Sequence, residues 1–218
     1  NAHTQHTKTI DNKKMIFIQH RINTLQELKT VPSRHGIEVD VRYHKNELIL
    51  HHDPYNHHQD NTDRLETLLS NWENNGPIIL NLKSEGIEEQ CIDLMDKYNI
   101  KEWFFLDMSM PFMVKYTLQQ ERKNLNPHNF AVRFSEFEPL EYALAFQDRA
   151  GWVWVDCFNK CALNIDLYHQ IKKANFKICI VSPELQNHSE NRIPEFKSQL
   201  SSMKIDAVCT KRPDLWQN

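Results

Sequence analysis

Two histidines, an arginine and a pair of carboxylates fall close together near the start of the chain, and their spacing suits phosphate chemistry. His20-Arg21 follows a short apolar run, Met15–Gln19. Glu38 and Asp40 lie in Gly36-Ile-Glu-Val-Asp-Val-Arg42, and a third run leads into His51-His52-Asp53-Pro54. Alternate side chains of a strand share a face, so Glu38 and Asp40 point one way and Ile37, Val39 and Val41 the other. Two carboxylates at that spacing repel each other and resist burial unless a cation or a set of donors holds them. Their oxygens suit a hard divalent cation. An imidazole titrates near neutrality and can carry protons, and a guanidinium matches the geometry of a phosphate. The plainer reading of Arg21 is an ion pair with Glu38. His51, His57 and His58 crowd the same loop and read as surface or supporting residues, with a soft-metal cluster as the alternative.

Short apolar runs alternate with longer amphipathic segments along the rest of the chain, which predicts βα units and a parallel sheet. Strands are expected at Met15–Gln19, Gly36–Arg42, Ile78–Leu82, Trp103–Leu106, Phe130–Phe134, Trp152–Val155, Phe176–Val181 and Ile205–Cys209. Helices are expected at Thr24–Thr30, Thr62–Asn71, Glu85–Tyr98, Pro111–Glu121, Glu138–Gln147, Asn164–Ala174 and Ile193–Ser202. Leu48–His51 lies just past Lys45-Asn46-Glu47 and reads as a small β-hairpin excursion after strand 2. Eight strand units at this length give an α/β fold of the (β/α)8 TIM-barrel class. A doubly wound open sheet would need a glycine-rich phosphate turn, and four glycines in the whole chain provide none. Residues 1–14 read as a flexible leader, and 15–218 as a single barrel domain.

In such a barrel, function collects at the C-terminal strand ends. His20 and Arg21 end the first strand, Asp40 and Arg42 the second, and Asn81 and Lys83 the third. Asp107, Ser135 with Glu136, Asp156, and Ser182 with Glu184 follow the later ones. The phrases Arg133-Phe-Ser-Glu-Phe-Glu138 and Trp152-Val-Trp-Val-Asp156 read as mouth residues, with Trp154 as a substrate contact.

A net charge of −3 without a polybasic run argues against a nucleic-acid partner. No apolar run approaches the roughly 20 residues that span a bilayer. The odd count of five cysteines reads as reduced core thiols. Cys157 and Cys161 lack the second pair that a zinc site requires. A cytoplasmic location is expected, or a secreted one if a signal segment has been removed.

His20-Arg21, Glu38-Val39-Asp40 and His52-Asp53, with Leu82-Lys83 on the third strand and the closing Thr210-Lys-Arg-Pro213, together resemble the glycerophosphodiester phosphodiesterase family. The resemblance implies a barrel enzyme that cleaves a small phosphodiester with a divalent cation, Mg²⁺ or Ca²⁺. Glu38 and Asp40 would then be metal ligands, His20 and His52 the acid/base pair, and Arg21 and Lys83 phosphate contacts. Two departures stand out. Ile22 occupies the place where the family usually has glycine, and Asn81 stands where it commonly has a glutamate. An amide oxygen can coordinate a cation but brings no charge, so Glu136 or Asp156 would have to supply the missing carboxylate. Two alternatives follow: a non-catalytic barrel that binds a phosphorylated ligand, or a lyase like the spider-venom-type phospholipases D that forms a cyclic phosphate.

Overall fold

The computed structural model describes residues 14–56 and 62–217. The expected leader apart from Lys14, together with His57 and His58, lies outside these residues. In chain order the elements are β1 Ile16–Gln19, α1 Leu25–Leu28, β2 Gly36–His44, β3 Glu47–Leu50, α2 Leu65–Ser70 and β4 Ile78–Leu82. Next come α3 Glu88–Lys97, β5 Trp103–Leu106, α4 Met110–Leu118, β6 Ala131–Phe134, α5 Leu140–Leu144 and β7 Trp152–Val155. The chain ends with α6 Ile165–Lys173, β8 Lys177–Val181, α7 Ile193–Leu200, β9 Ala207–Thr210 and α8 Pro213–Trp216.

The parallel strands lie in the order β5-β4-β2-β1-β9-β8-β7-β6. A parallel bridge between Phe105 and Phe130 joins the two ends, so the sheet closes into the expected TIM barrel. β3 runs antiparallel to β2, with Val41 opposite Leu50. This is the hairpin excursion, and its turn takes positive φ at Lys45 (48°) and Asn46 (64°), as a two-residue hairpin turn requires.

Period-two alternation sorts the side chains. Ile37, Val39, Val41, Leu80, Val153 and Ile180 face outward into the layer shared with the helices. Ile18, Ile79, Phe104, Ala131, Trp152, Cys179 and Ala207 fill the barrel interior, where the Phe104 and Trp152 rings stack at 5.0 Å. A Cβ on Gly36 would stand 2.4 Å from the Pro77 carbonyl oxygen. Only glycine therefore lets β2 start this close to β4, in the register that sets Asp40 beside Asn81.

Several helices are shorter than the apolar spacing predicts. Gly86, at φ 80°, delays α3 until Glu88, and Pro139 holds the extended backbone that starts α5. All five cysteines are free and buried. Among the described residues, no helix is long and apolar enough to cross a membrane.

Candidate active site

Immediately after β1 the chain turns sharply, with Arg21 at φ 54°, a region that a non-glycine residue rarely occupies. Three backbone bonds hold the turn. His20 N–H donates to Thr210 O (3.3 Å) and Ile22 N–H to Glu38 O (2.9 Å), while Arg21 N–H donates to the Glu38 carboxylate (2.8 Å). The left-handed residue is thus Arg21, and Ile22 packs into the core. Beyond it, Thr24 and Glu27 form a capping box at α1. Asn23 clamps Asp40 from both sides, its amide donating to Oδ2 and its carbonyl accepting the Asp40 N–H, each at 2.9 Å.

Glu38 and Asp40 are fully buried. Asn81 Nδ2 donates to Glu38 Oε1 (3.0 Å), His20 Nε2 lies 3.8 Å from Glu38 Oε2, and Lys83 Nζ lies 3.6 Å from Asp40 Oδ1. Burial, reinforced by the neighbouring Asp40 charge, pushes the Glu38 carboxyl up to about 7. Burial and then the charge of Arg21 lower His20 to about 3, with Lys211, His52 and Lys83 adding to the effect. His20 is therefore a neutral imidazole at physiological pH.

His52 is oriented from two sides. Its Nε2 stands 2.6 Å from Arg21 Nη2, and its Nδ1 is 2.8 Å from Asp53 Oδ1. A guanidinium only donates, so in this arrangement Nε2 accepts and Nδ1 carries the proton toward Asp53. Arg42 fixes the loop below by donating to the carbonyls of His51 (3.1 Å) and His52 (2.6 Å).

His20, Arg21, Glu38, His52, Asn81 and Lys83 line one side of a cavity of about 340 Å³. Its far side is formed by Asp107, Arg133, Trp154, Asp156, Phe158 and Gln186. There Arg133 grips Asp107 through both Nη2 bonds (2.6 and 2.8 Å) and Nε (3.1 Å). It also donates to Asp156, whose other oxygen accepts from Gln186 (2.7 Å).

The cavity thus gathers His20, Arg21, Glu38, His52, Asn81, Lys83 and Trp154, with Asp40 directly behind them. Glu136 is the exception. Its carboxylate accepts the backbone N–H groups of Phe158, Asn159 and Lys160, so it braces the loop after β7 instead of completing a metal shell. Asp156, the other candidate for that place, is committed to Arg133. Arg21 pairs with Glu38 through its backbone, not its guanidinium. Asn23 and Gln186 are further site residues that strand-end reasoning does not reach.

The donor set suits a hard cation in part. Asp40 Oδ1 and Asn81 Oδ1 are buried oxygens without a hydrogen-bond partner, next to a second buried carboxylate. Oxygen donors of this kind fit Mg²⁺ or Ca²⁺. Among the described residues, however, no group of three or more His, Cys, Asp or Glu side chains converges on one point. The shell would rest on two carboxylates and an amide, with the Lys83 ammonium competing at Asp40.

No protein-family model matches the sequence, and no curated protein matches it. Among solved structures, the fold is similar to a glycerophosphodiester phosphodiesterase from Agrobacterium tumefaciens. That protein is 13% identical, with 93% of this chain and 99% of that chain covered and a TM-score of 0.65. It is also similar to a phosphodiesterase from Oleispira antarctica, solved with the product sn-glycerol-3-phosphate, at 14% identity, 91% and 93% coverage and a TM-score of 0.63. A mutant tryptophan synthase α-subunit from Pyrococcus furiosus follows at 11% identity, 90% and 86% coverage and a TM-score of 0.57. Likeness at this level establishes the barrel. Because a barrel of different chemistry shares it, the function must be argued from the site.

Proposed function

We propose that this barrel is a phosphoric diester hydrolase of the glycerophosphodiester phosphodiesterase type. The observation that carries the proposal is the convergence of His20, His52 and Arg21 on one cavity wall beside the buried oxygens of Asp40 and Asn81 that lack a hydrogen-bond partner. Glu38, Asp40 and Asn81 would hold the divalent cation. When bound, it offsets the charge that develops on the phosphoryl oxygens.

Arg21 and Lys83 bind the phosphate. Its arrival draws Arg21 away from His52 Nε2 and cancels part of the positive field that, added to burial, keeps His20 unprotonated. His20, neutral in the free protein, then takes the proton of the attacking water or substrate hydroxyl. His52, held at Nδ1 by Asp53 and freed at Nε2, takes up a proton from solvent at Nε2. It delivers that proton to the leaving oxygen as its bond to phosphorus breaks, and His20 returns its own proton to solvent. Each such proton transfer contributes a factor of about 10²–10⁴. The substrate is a small soluble diester, and the protein acts without inserting in a membrane.

The test is hydrolysis of bis(p-nitrophenyl) phosphate with added Mg²⁺ or Ca²⁺. Turnover that EDTA abolishes is expected. Absence of turnover with every divalent ion overturns the proposal. One observation favours a second reading, a barrel that only binds a phosphorylated ligand: Asn81 presents a donor to Glu38, which already satisfies part of the carboxylate pair. Binding of glycerol 3-phosphate without turnover of any diester would select it.

A further inference from the structure

The proposed chemistry uses only the β1–β2–β4 side of the cavity and leaves the far wall unexplained. Arg133 is an inward residue of β6, and three of its bonds go to Asp107 and one to Asp156. Asp107 stands just past β5 at φ 61°. Asp156 stands just past β7, where its Oδ1 accepts both Gln186 Nε2 and the Cys157 N–H (2.9 Å). Three of the five guanidinium N–H donors are thus spoken for, because the two oxygens of the single Asp107 carboxylate share one Nη2 hydrogen. One hydrogen on Nη1 and one on Nη2 remain, alongside the second Gln186 amide hydrogen and the spare lone pairs of the carboxylates. Trp154 lies two residues before Asp156 on the same face of β7 and lines the same cavity.

We infer that Asp107, Arg133, Asp156 and Gln186 form the subsite for the alcohol half of the diester, and that it selects a neutral polyhydroxylated group such as a cyclitol or sugar. This rests on the proposed diesterase function. The charge pattern decides the class of ligand. Two carboxylates and one guanidinium leave the wall with one net negative charge, so a second anionic group is repelled. An ammonium head group is disfavoured as well, because Arg133 already occupies the space between the two carboxylates and would face it. Hydroxyl groups suit the wall, since each can donate to a carboxylate and accept from a free Arg133 or Gln186 hydrogen. The Trp154 indole offers an apolar face to the ring carbons. The ion cluster also ties β5, β6 and β7 together. A purely structural cluster would work as well buried in the helix layer, whereas all four residues line the cavity.

The experiment compares kcat/KM for glycerophosphoinositol, glycerophosphocholine and bis(p-nitrophenyl) phosphate in the wild type, D107N and Q186A, with thermal melts to check folding. A preference of about tenfold for the inositol over the choline diester is expected, the size of one net hydrogen bond. Either substitution should cut that ratio severalfold while the melt stays within a few degrees. Equal turnover of the two diesters, or a ratio that both substitutions leave intact, overturns the inference without touching the diesterase reading. If no diester is turned over, that reading fails, and saturation-transfer NMR with myo-inositol decides the subsite alone. Signal in the wild type that Q186A loses supports it, and no wild-type signal overturns it.

Discussion

On the β1–β2–β4 side of the cavity, Glu38 and Asp40 are fully buried, the Lys83 ammonium stands 3.6 Å from Asp40 and the neutral His20 imidazole 3.8 Å from Glu38, and Asp40 Oδ1 and Asn81 Oδ1 are left without a hydrogen-bond partner. On the β5–β7 side, Asp107 and Asp156 close directly on Arg133, and neither carboxylate is left with an unpartnered buried oxygen. Buried polar groups are nearly always hydrogen-bonded, so those left over need an explanation. The contrast separates two uses of the same chemistry. The first wall holds its charges apart for something that arrives; the second is set before any ligand arrives and can only recognise.

The contrast is broken most decisively at the histidines. His20→Ala or His52→Ala should lower kcat/KM for bis(p-nitrophenyl) phosphate by about 10² or more, with little change in the melting curve. Activity surviving either substitution would remove the acid/base pair from the mechanism. Arg133→Met should do the reverse, damaging the fold more than the chemistry. Removing one partner of a buried ion pair costs about 3–5 kcal/mol. With the Arg133 and Asp107 side chains 23% and 28% exposed, solvent screening brings the expectation down to roughly 2 kcal/mol. Urea unfolding measures it. An unchanged midpoint would show that the far wall contributes no stability.

Much of this site was legible in the sequence because strand periodicity and strand ends are. Alternation in β2 set Glu38 and Asp40 apart from Ile37, Val39 and Val41, and the barrel expectation placed Asn81 and Lys83 on the neighbouring strand end. What periodicity does not encode is where a loop side chain turns. Glu136 lies two residues past β6 and was expected at a cation, yet three backbone N–H groups of the next loop take its carboxylate. Burial opposes its charge, and those bonds still hold its carboxyl below the usual range. Gln186 belongs to a single 3₁₀ turn after β8, and no spacing rule brings it to Asp156. The expected Arg21–Glu38 ion pair is replaced because Arg21 carries two donors of different kinds: its backbone N–H serves Glu38 while its guanidinium turns to His52.

Asn81 is where the two walls can be made more or less alike. Asn81→Asp adds a charged oxygen beside Glu38 and Asp40 and removes the donor to Glu38. Cation affinity by isothermal titration should tighten by about tenfold, since affinity follows ligand charge. The cation-free protein should melt lower, because three carboxylates then repel one another. Unchanged affinity would mean that Asn81 does not face the ion.

The smallest expected effect comes from the proton on Glu38. Its carboxyl is raised from 4.5 to about 7, so the folded chain binds a proton that the unfolded chain has released. The associated stability is full below pH 4.5 and is lost as pH rises through 7. His20 runs the other way: lowered from 6.5 to about 3, it contributes stability above 6.5 that is lost as pH falls through 3. In the window between 4.5 and 6.5 the two slopes oppose, so Glu38 and His20 together contribute little net pH dependence to the stability of the cation-free protein. Cation binding has no such compensation, because a cation at Glu38 must displace the proton. Affinity should therefore fall by about fivefold between pH 7 and pH 6 for a single site titrating at 7. Glu38→Gln should abolish that pH dependence while weakening binding at every pH. A wild-type affinity that stays flat across this interval would show that the buried pair is held by Asn23, Asn81 and Lys83 alone, and that the first wall is as self-sufficient as the second.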